Sequence, residues 1–145
     1  MISQQFMTTH PRAGENTNFN EKIVEEIKKH TIRAGGNWKK RVEQINAGTH
    51  YLSLRYWSGK PYCSKQVEFR EYYQLGYQDL KISADRVVSI DLIEPEYQAS
   101  LFQKLANNDG LKYTDFYAWF GMHKKSFKGF EGGIIFFDPH FKYNL

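Results

Sequence analysis

The chain alternates between two patterns of hydrophobic and polar positions, one typical of helices and one typical of strands. Apolar residues three and four positions apart predict four helices, which are bounded by capping residues or by glycine. Their apolar positions are, in chain order, Ile23, Val24 and Ile27; Trp38, Val42 and Ile45; Leu101, Phe102 and Leu105; and Phe116, Trp119 and Phe120. The first helix is expected to begin after Asn18, to present Ile27 on its apolar face and to end near Lys29.

Alternation of apolar and polar residues predicts several short strands. The predicted strand segments are residues 30–33, 51–57, 67–70, 79–82, 86–93 and 134–137. We expect their apolar residues to be buried in one sheet that curves toward a barrel, with the helices packed against it. Those residues are Leu52, Leu54, Val67, Phe69, Val88, Ile90 and Ile135. The pattern therefore predicts an α+β domain over residues 18–145, preceded by an irregular arm over residues 1–17.

Composition limits the possible classes of function. The 145 residues fit one domain, and the net charge of +4 permits an anionic partner without requiring one. Aromatic residues make up 17% of the chain, which favours binding surfaces as well as a compact core. The single cysteine, Cys63, excludes an internal disulfide framework. The polar start and the lack of a stretch of ~20 apolar residues predict a soluble, cytoplasmic protein without a membrane partner.

Motifs of the common metal and cofactor sites are missing from the sequence. The five histidines are not spaced to ligate one metal ion, and there is no glycine-rich phosphate loop or nucleophile elbow. We therefore expect neither a metal nor a cofactor.

Cationic and aromatic residues alternate across the turn at residues 55–65. The cations are Arg55, Lys60 and Lys65, and the rings are Tyr56, Trp57 and Tyr62. Cations neutralise phosphates and rings stack on bases, so this combination suits single-stranded nucleic acid. The alternative is that the rings belong to the core and the charges are solvated, and the sequence leaves both interpretations open.

A second basic group spans the end of the first helix and the segment after it. On a strand, Thr31 and Arg33 point to one face, and Lys28 on the last helical turn can lie close to that face. A threonine hydroxyl beside an amine and a guanidinium group suits an activated nucleophile or an anion site. The alternative is a basic helix C-terminus that interacts with the helix dipole.

The run from Glu25 to Arg33, followed by Trp38 and Lys39, resembles the signature of the ASCH-domain family, which has a PUA-like fold. Further segments resemble bacterial and prophage members of that family. They are Tyr56–Tyr62, Leu105–Leu111 before Asp115-Phe116, and Gly132–Phe136. The resemblance implies a small PUA-like β-barrel with flanking helices, and a cleft that accepts RNA or a nucleotide-like small molecule.

One branch of this family removes the acetyl group from acetylcytidine with a lysine, a threonine three residues later and a distant glutamate. Lys28 and Thr31 match the first two positions, and alignment through Thr114–Phe116 places Asp109 at the third. Aspartate is one methylene shorter than the glutamate of that branch.

Two hypotheses follow, with a structural role in a mobile element as a third possibility. The first is a non-catalytic module that binds RNA or a nucleotide-like ligand. Its expected contacts are Arg33, Trp38, Arg55, Trp57, Lys60, Tyr62 and Lys65. The second is an amidohydrolase with Thr31 as nucleophile, Lys28 as base and Asp109 as the acidic partner.

Overall fold

A computed structural model describes residues 1–6, 17–60, 62–95 and 97–144, which form an α+β fold with four helices and seven strands. The strands are β1 Ile2–Phe6, β2 His30–Ala34, β3 Leu52–Trp57, β4 Gln66–Tyr72, β5 Gly76–Ile82, β6 Val88–Ile90 and β7 Phe130–Phe136. The helices are α1 Phe19–Val24, α2 Asn37–Asn46, α3 Gln98–Asn108 and α4 Tyr113–Trp119. No helix among these residues is long and apolar enough to cross a bilayer.

The strands form two sheets instead of the single curved sheet predicted above. One has the order β1-β3-β4 and the other the order β2-β7-β5-β6, so the described strands do not close into a barrel. The separation occurs between β4 and β5, at Leu75. Its N–H donates to Asn46 Oδ1 at 2.8 Å, and its C=O accepts from Asn46 Nδ2 at 2.9 Å. Because an α2 side chain takes both backbone groups, the chain leaves one sheet there and enters the other.

The predicted arm over residues 1–17 is not irregular at its start. Ile2–Phe6 forms β1 and pairs in parallel with β3, Ile2 lying opposite Leu52. An edge strand is held by backbone hydrogen bonds, so it forms here without an alternating sequence pattern. The rest of the predicted arm, residues 7–16, lies outside the described residues.

Helix α1 ends earlier than its apolar pattern predicts. Glu26 has a positive φ of 61°, and the N–H of Ile27 donates to Lys22 C=O at 2.7 Å. This Schellman motif stops the helix and turns the chain outward. Ile27, expected to pack on the sheet, is therefore 50% exposed, whereas Ile23 is buried in the core.

The other helices agree more closely with their patterns. Helix α2 buries its predicted apolar face, and Leu101 and Leu105 of α3 are buried as expected. The strand predicted over 86–93 is shorter, because Asp91 and Leu92 have positive φ and fold Ile93 back onto β6.

Candidate functional site

A buried ion pair joins two residues that are 81 positions apart in the chain. Lys28 Nζ donates to Asp109 Oδ1 at 2.8 Å and also to the Asp109 backbone carbonyl at 2.8 Å. Lys28 is 2% exposed and Asp109 is 5% exposed. The structure therefore brings together two of the three residues predicted to be catalytic.

Helix endings place both members of the pair. Asp109 is the C-cap of α3, and Gly110 follows with a φ of 78°. The N–H of Leu111 donates to Ala106 C=O at 3.0 Å, which completes a Schellman motif like the one before Lys28. A Cβ at position 110 would lie 3.1 Å from Lys28 Cβ, so glycine allows both the backbone turn and the close approach.

A carboxylate at a helix C-terminus is electrostatically unfavourable, because that end of the helix dipole is negative. Lys28 offsets this effect, since its ammonium group binds both the carboxylate and the backbone carbonyl of Asp109. Phe19 covers the other side of the ammonium group, its ring centroid lying 4.3 Å from Lys28 Nζ. The pair is thus enclosed by α1, α3 and the segment that leads into β2.

His30 is the strand residue beside this pair, and sequence reasoning did not single it out. Its Nδ1 lies 3.4 Å from Asp109 Oδ1, and its Nε2 lies 2.7 Å from the Tyr143 hydroxyl oxygen. Asn108 Nδ2 donates to the same hydroxyl oxygen at 3.0 Å. The one available signal was position: in the extended segment, His30 shares a face with the apolar Ile32.

Burial and neighbouring charges shift the pKa values of this cluster. Burial lowers the pKa of Lys28, although Asp109 acts in the opposite direction. Burial also lowers the pKa of His30, which keeps the imidazole neutral at neutral pH. Burial alone would raise the pKa of Asp109, but Lys28 and His30 lower it below its ordinary value. Burial lowers the pKa of Arg33 to about 10.

A cavity of about 210 Å³ opens beside Lys28. Its wall combines cationic and aromatic side chains, together with Glu26 and Asp138. The cations are Lys28, Lys29 and Arg70, and the rings are Tyr72, Phe137 and Phe141. Tyr72 and Phe137 stack with centroids 5.2 Å apart, and the Arg70 guanidinium carbon lies 5.8 Å from the Tyr72 centroid. Sequence reasoning missed Arg70 and Tyr72, because they approach Lys28 from the other sheet.

Thr31 is buried, and the strand register directs it away from His30. It pairs with Ile135, which in turn pairs with Tyr77, so these three residues form one row across the sheet. Successive side chains on a strand point to opposite faces. The Thr31 side chain therefore lies on the opposite face of β2 from the side chain of His30, which contacts Asp109. Arg33 shares the face of Thr31.

The predicted nucleic-acid contacts of residues 55–65 lie on the β3–β4 hairpin. Trp57 and Tyr62 pack with ring centroids 5.2 Å apart, and Tyr62 is 89% exposed. Lys60 and Lys65 are also exposed. Arg55 instead makes contacts within the chain, its Nε donating to Ser53 Oγ at 2.9 Å.

Hydrogen bonds join the two sides of this hairpin close to its tip. Ser64 Oγ donates to the Lys60 carbonyl at 2.8 Å and accepts from the Gly59 N–H at 3.0 Å. The Ser58 N–H donates to the Lys65 carbonyl at 2.8 Å. Pro61 lies outside the described residues.

The hairpin tip and the cavity beside Lys28 lie near opposite ends of β4. Trp57 pairs with Gln66 at one end, and Tyr72 lines the cavity at the other. Six residue steps of roughly 3.4 Å separate Gln66 from Tyr72, about 20 Å. The predicted contacts from Arg55 to Lys65 thus form one group on the hairpin, whereas Lys28 is the predicted site residue that lines the cavity and Arg33 belongs to neither group. Trp38 belongs to neither group, because its indole is 5% exposed in the core beneath Arg41.

Within the described residues, no three histidine, cysteine or carboxylate side chains gather as a metal site would require. A scan against protein-family models finds no match for this chain, and neither curated proteins nor solved structures provide one.

Proposed function

We propose that the protein binds a nucleotide-like ligand in the cavity beside Lys28, and that the β3–β4 hairpin extends this binding to RNA. The observation that carries the proposal is the composition of the cavity wall. Lys29 and Arg70 supply positive charge, and Tyr72 offers an aromatic ring. Rings stack on bases and cations bind phosphate, so one wall has both groups that a nucleotide needs.

The size of the cavity favours a single base over a strand. A volume of about 210 Å³ is smaller than the roughly 300–1,000 Å³ of pockets that enclose drug-sized ligands. That volume suits one base or a small nucleoside. An RNA strand would instead place one base in the cavity and reach the hairpin with its remaining nucleotides.

We further propose that the two sheets belong to an ASCH-type, PUA-like domain. The support is the resemblance of residues 25–33, which here form the connection after α1 and most of strand β2 beside the cavity. In that family the corresponding strand lines the ligand cleft.

Titration with cytidine 5′-monophosphate tests the cavity. We expect saturable binding by the parent protein and a loss of about 10-fold or more in Arg70→Ala, because a charge-assisted hydrogen bond contributes about 1.5–3 kcal/mol. Arg41→Ala is the matched control, since Arg41 also stacks on a ring but lies on α2 outside the cavity wall. A parent protein that does not bind at millimolar nucleotide would refute the cavity site.

The Lys28–Asp109 contact favours a second candidate function, deacylation of an acylated nucleoside. A lysine base must lose its proton, and burial of Lys28 lowers its pKa in that direction. Thr31 is the proposed nucleophile, although its side chain lies on the opposite face of β2 from His30.

Release of acetate from acetylcytidine tests this candidate. The deacylation hypothesis expects turnover by the parent, partial activity in Thr31→Ser and none in Thr31→Val, which keeps the shape but lacks the hydroxyl. Lys28→Arg retains the charge and cannot supply a base near neutral pH, so it should also be inactive. Absence of release by concentrated parent protein would leave ligand binding as the function.

A further inference from the structure

The Lys28–Asp109 ion pair is one end of a longer chain of polar contacts through the interior. From Asp109 the chain continues to His30 Nδ1, a buried nitrogen that lies 3.4 Å from Asp109 Oδ1 without forming a hydrogen bond, and from His30 Nε2 to the Tyr143 hydroxyl oxygen at 2.7 Å. It ends at Asn108, whose Nδ2 donates to that hydroxyl oxygen at 3.0 Å. We call Asn108, Tyr143, His30 and Asp109 the Tyr143 relay.

The Asp109 carboxylate sets the direction of the relay. Asn108 donates to the Tyr143 oxygen, and the phenol O–H is available to donate to His30 Nε2. We therefore assign the histidine proton to Nδ1, which faces the Asp109 carboxylate. The opposite tautomer would point a nitrogen lone pair at that carboxylate, which is electrostatically repulsive.

Tyr143 is fixed by its backbone as well as by its hydroxyl group. Its N–H donates to Gln78 Oε1 at 2.8 Å, and its C=O accepts from Gln78 Nε2 at 3.0 Å. The ring of Phe136 packs against His30, with centroids 5.5 Å apart, and against Tyr143, with centroids 5.7 Å apart. Tyr143 and Asn108 also line a second cavity, of about 730 Å³, at the far end of the relay.

We propose that His30 and Tyr143 are positioning residues of the ligand pocket, which orient the Asp109 carboxylate toward Lys28 and so fix the Lys28 side chain beside the cavity. This inference rests on the proposed function, since the cavity beside Lys28 is the candidate nucleotide site. Burial supports it by keeping His30 neutral, as an acceptor at Nε2 requires. The charged or titratable groups around His30 are Asp109, Lys28 and Tyr143, and Arg33 acts on Asp109 from the same strand.

The test compares the parent protein with Tyr143→Phe, which keeps the ring and removes only the hydroxyl. Nitrogen-15 NMR reads the His30 tautomer and the titration of the Lys28 amine, and titration with cytidine 5′-monophosphate reads the cavity. We expect the parent His30 to carry its proton on Nδ1. In Tyr143→Phe we expect a mixture of tautomers, a shifted Lys28 titration and about 2- to 12-fold weaker nucleotide binding, the loss equivalent to one hydrogen bond.

Tyr77→Phe is the matched control. The Tyr77 hydroxyl donates to Asp79 at 3.1 Å, and its side chain lies on the opposite face of the same sheet. Removing this hydroxyl should change neither the His30 tautomer nor the Lys28 titration. A change as large as that in Tyr143→Phe would mean that the sheet responds nonspecifically, and would overturn the proposal.

Two variants of His30 distinguish a role in orienting Asp109 from a role in packing the core. His30→Asn places an amide near the position of Nδ1, facing Asp109, whereas His30→Gln places one near Nε2, facing Tyr143. We expect His30→Asn to retain more nucleotide affinity than His30→Gln.

A parent His30 protonated at Nε2, or a Lys28 titration unchanged in Tyr143→Phe, would overturn the relay. If the parent binds no nucleotide, the proposed function fails, while the tautomer and the Lys28 titration still decide the relay.

Discussion

The Lys28–Asp109 ion pair and the tip of the β3–β4 hairpin use similar side chains in opposite surroundings. Both combine cations with aromatic rings, but Lys28 is buried under Phe19 and Tyr62 projects into solvent. A buried charge needs a fixed partner, so its removal affects folding. An exposed charge interacts weakly with its own protein and is free to bind a ligand. The comparison separates residues that maintain the pocket from residues that would hold RNA.

Removal of the buried carboxylate should have the largest effect. Asp109→Ala leaves the Lys28 ammonium group without its anion in the interior, and breaking a buried pair in this way costs about 3–5 kcal/mol. Urea unfolding measures the loss. Lys65→Ala, at the hairpin, is the control and should stay within about 0.5 kcal/mol of the parent. A loss under about 1 kcal/mol in Asp109→Ala would mean that solvent reaches the pair.

A substitution at the base of the hairpin should lower the free energy of unfolding as strongly as a substitution in the ion pair, whereas a substitution at the tip should not. Leu54 lies on β3 and is completely buried. Leu54→Ala should cost about 2–5 kcal/mol, from lost apolar burial and the cavity it leaves. Tyr62→Ala, at the tip, should change the free energy of unfolding by less than about 0.5 kcal/mol. Similar losses in the two variants would contradict the assigned strand orientation.

Local patterns predicted the elements better than they predicted the contacts between elements. The apolar face of α2 could be read from Trp38, Val42 and Ile45, since a helix face depends on spacing alone. The end of α1 could not be predicted from the sequence, because Glu26 adopts a positive φ that a glutamate does not signal. Likewise, Asn46 divides the sheets through a side-chain contact with Leu75, which no periodicity encodes.

The residues of the candidate site were likewise only partly predictable from the sequence. Asp109 was predicted through family resemblance and lies against Lys28, but spacing alone would not have paired residues 81 positions apart. His30 carries no signal of its contacts in the sequence, because the spacing of the five histidines bears only on metal ligation. Its partner Tyr143 is 113 positions away, and only the folded chain brings the two together.

Acid should destabilise the cluster and leave the hairpin unaffected. His30 has a folded pKa below its ordinary value of 6.5, so the unfolded chain binds more protons as the pH falls below 6.5. Stability is therefore lost with falling pH in that range. The lowered pKa of Asp109 acts in the same direction below 3.8. Urea unfolding between pH 7.5 and 5 should show a shallower decline in His30→Gln than in the parent, and Lys60→Ala should follow the parent. Equal declines in all three proteins would contradict a buried neutral His30.

Substitution of the ring of Trp57 in the hairpin should change RNA affinity and not the free energy of unfolding. Base stacking on an aromatic ring contributes about 1–3 kcal/mol per base. Trp57→Ala should therefore weaken binding of a single-stranded uridine octamer at low salt by that amount. Val42→Ala is a control for general damage, because this buried residue of α2 lies outside both the hairpin and the cavity wall, and its substitution should cost stability without a specific loss of RNA affinity. Binding by Trp57→Ala equal to that of the parent would exclude the hairpin as a stacking site.

The smallest expected effect is on the salt dependence of RNA binding, which distinguishes the contribution of charge from that of stacking within the hairpin. Lys60 is exposed, so its contribution to RNA affinity comes from the release of a counterion by one phosphate. Lys60→Ala should reduce the slope of log affinity against log salt by about one unit, and the deficit should shrink as salt rises. Trp57→Ala should lower affinity at every salt concentration with an unchanged slope, because stacking releases no counterions. Arg55→Ala should change the slope less than Lys60→Ala does, because Arg55 already lies 3.7 Å from the Glu68 carboxylate. Equal slopes in the parent and in Lys60→Ala would show that Lys60 contacts no phosphate, and the same result for Lys65→Ala would limit the proposed ligand site to the cavity beside Lys28.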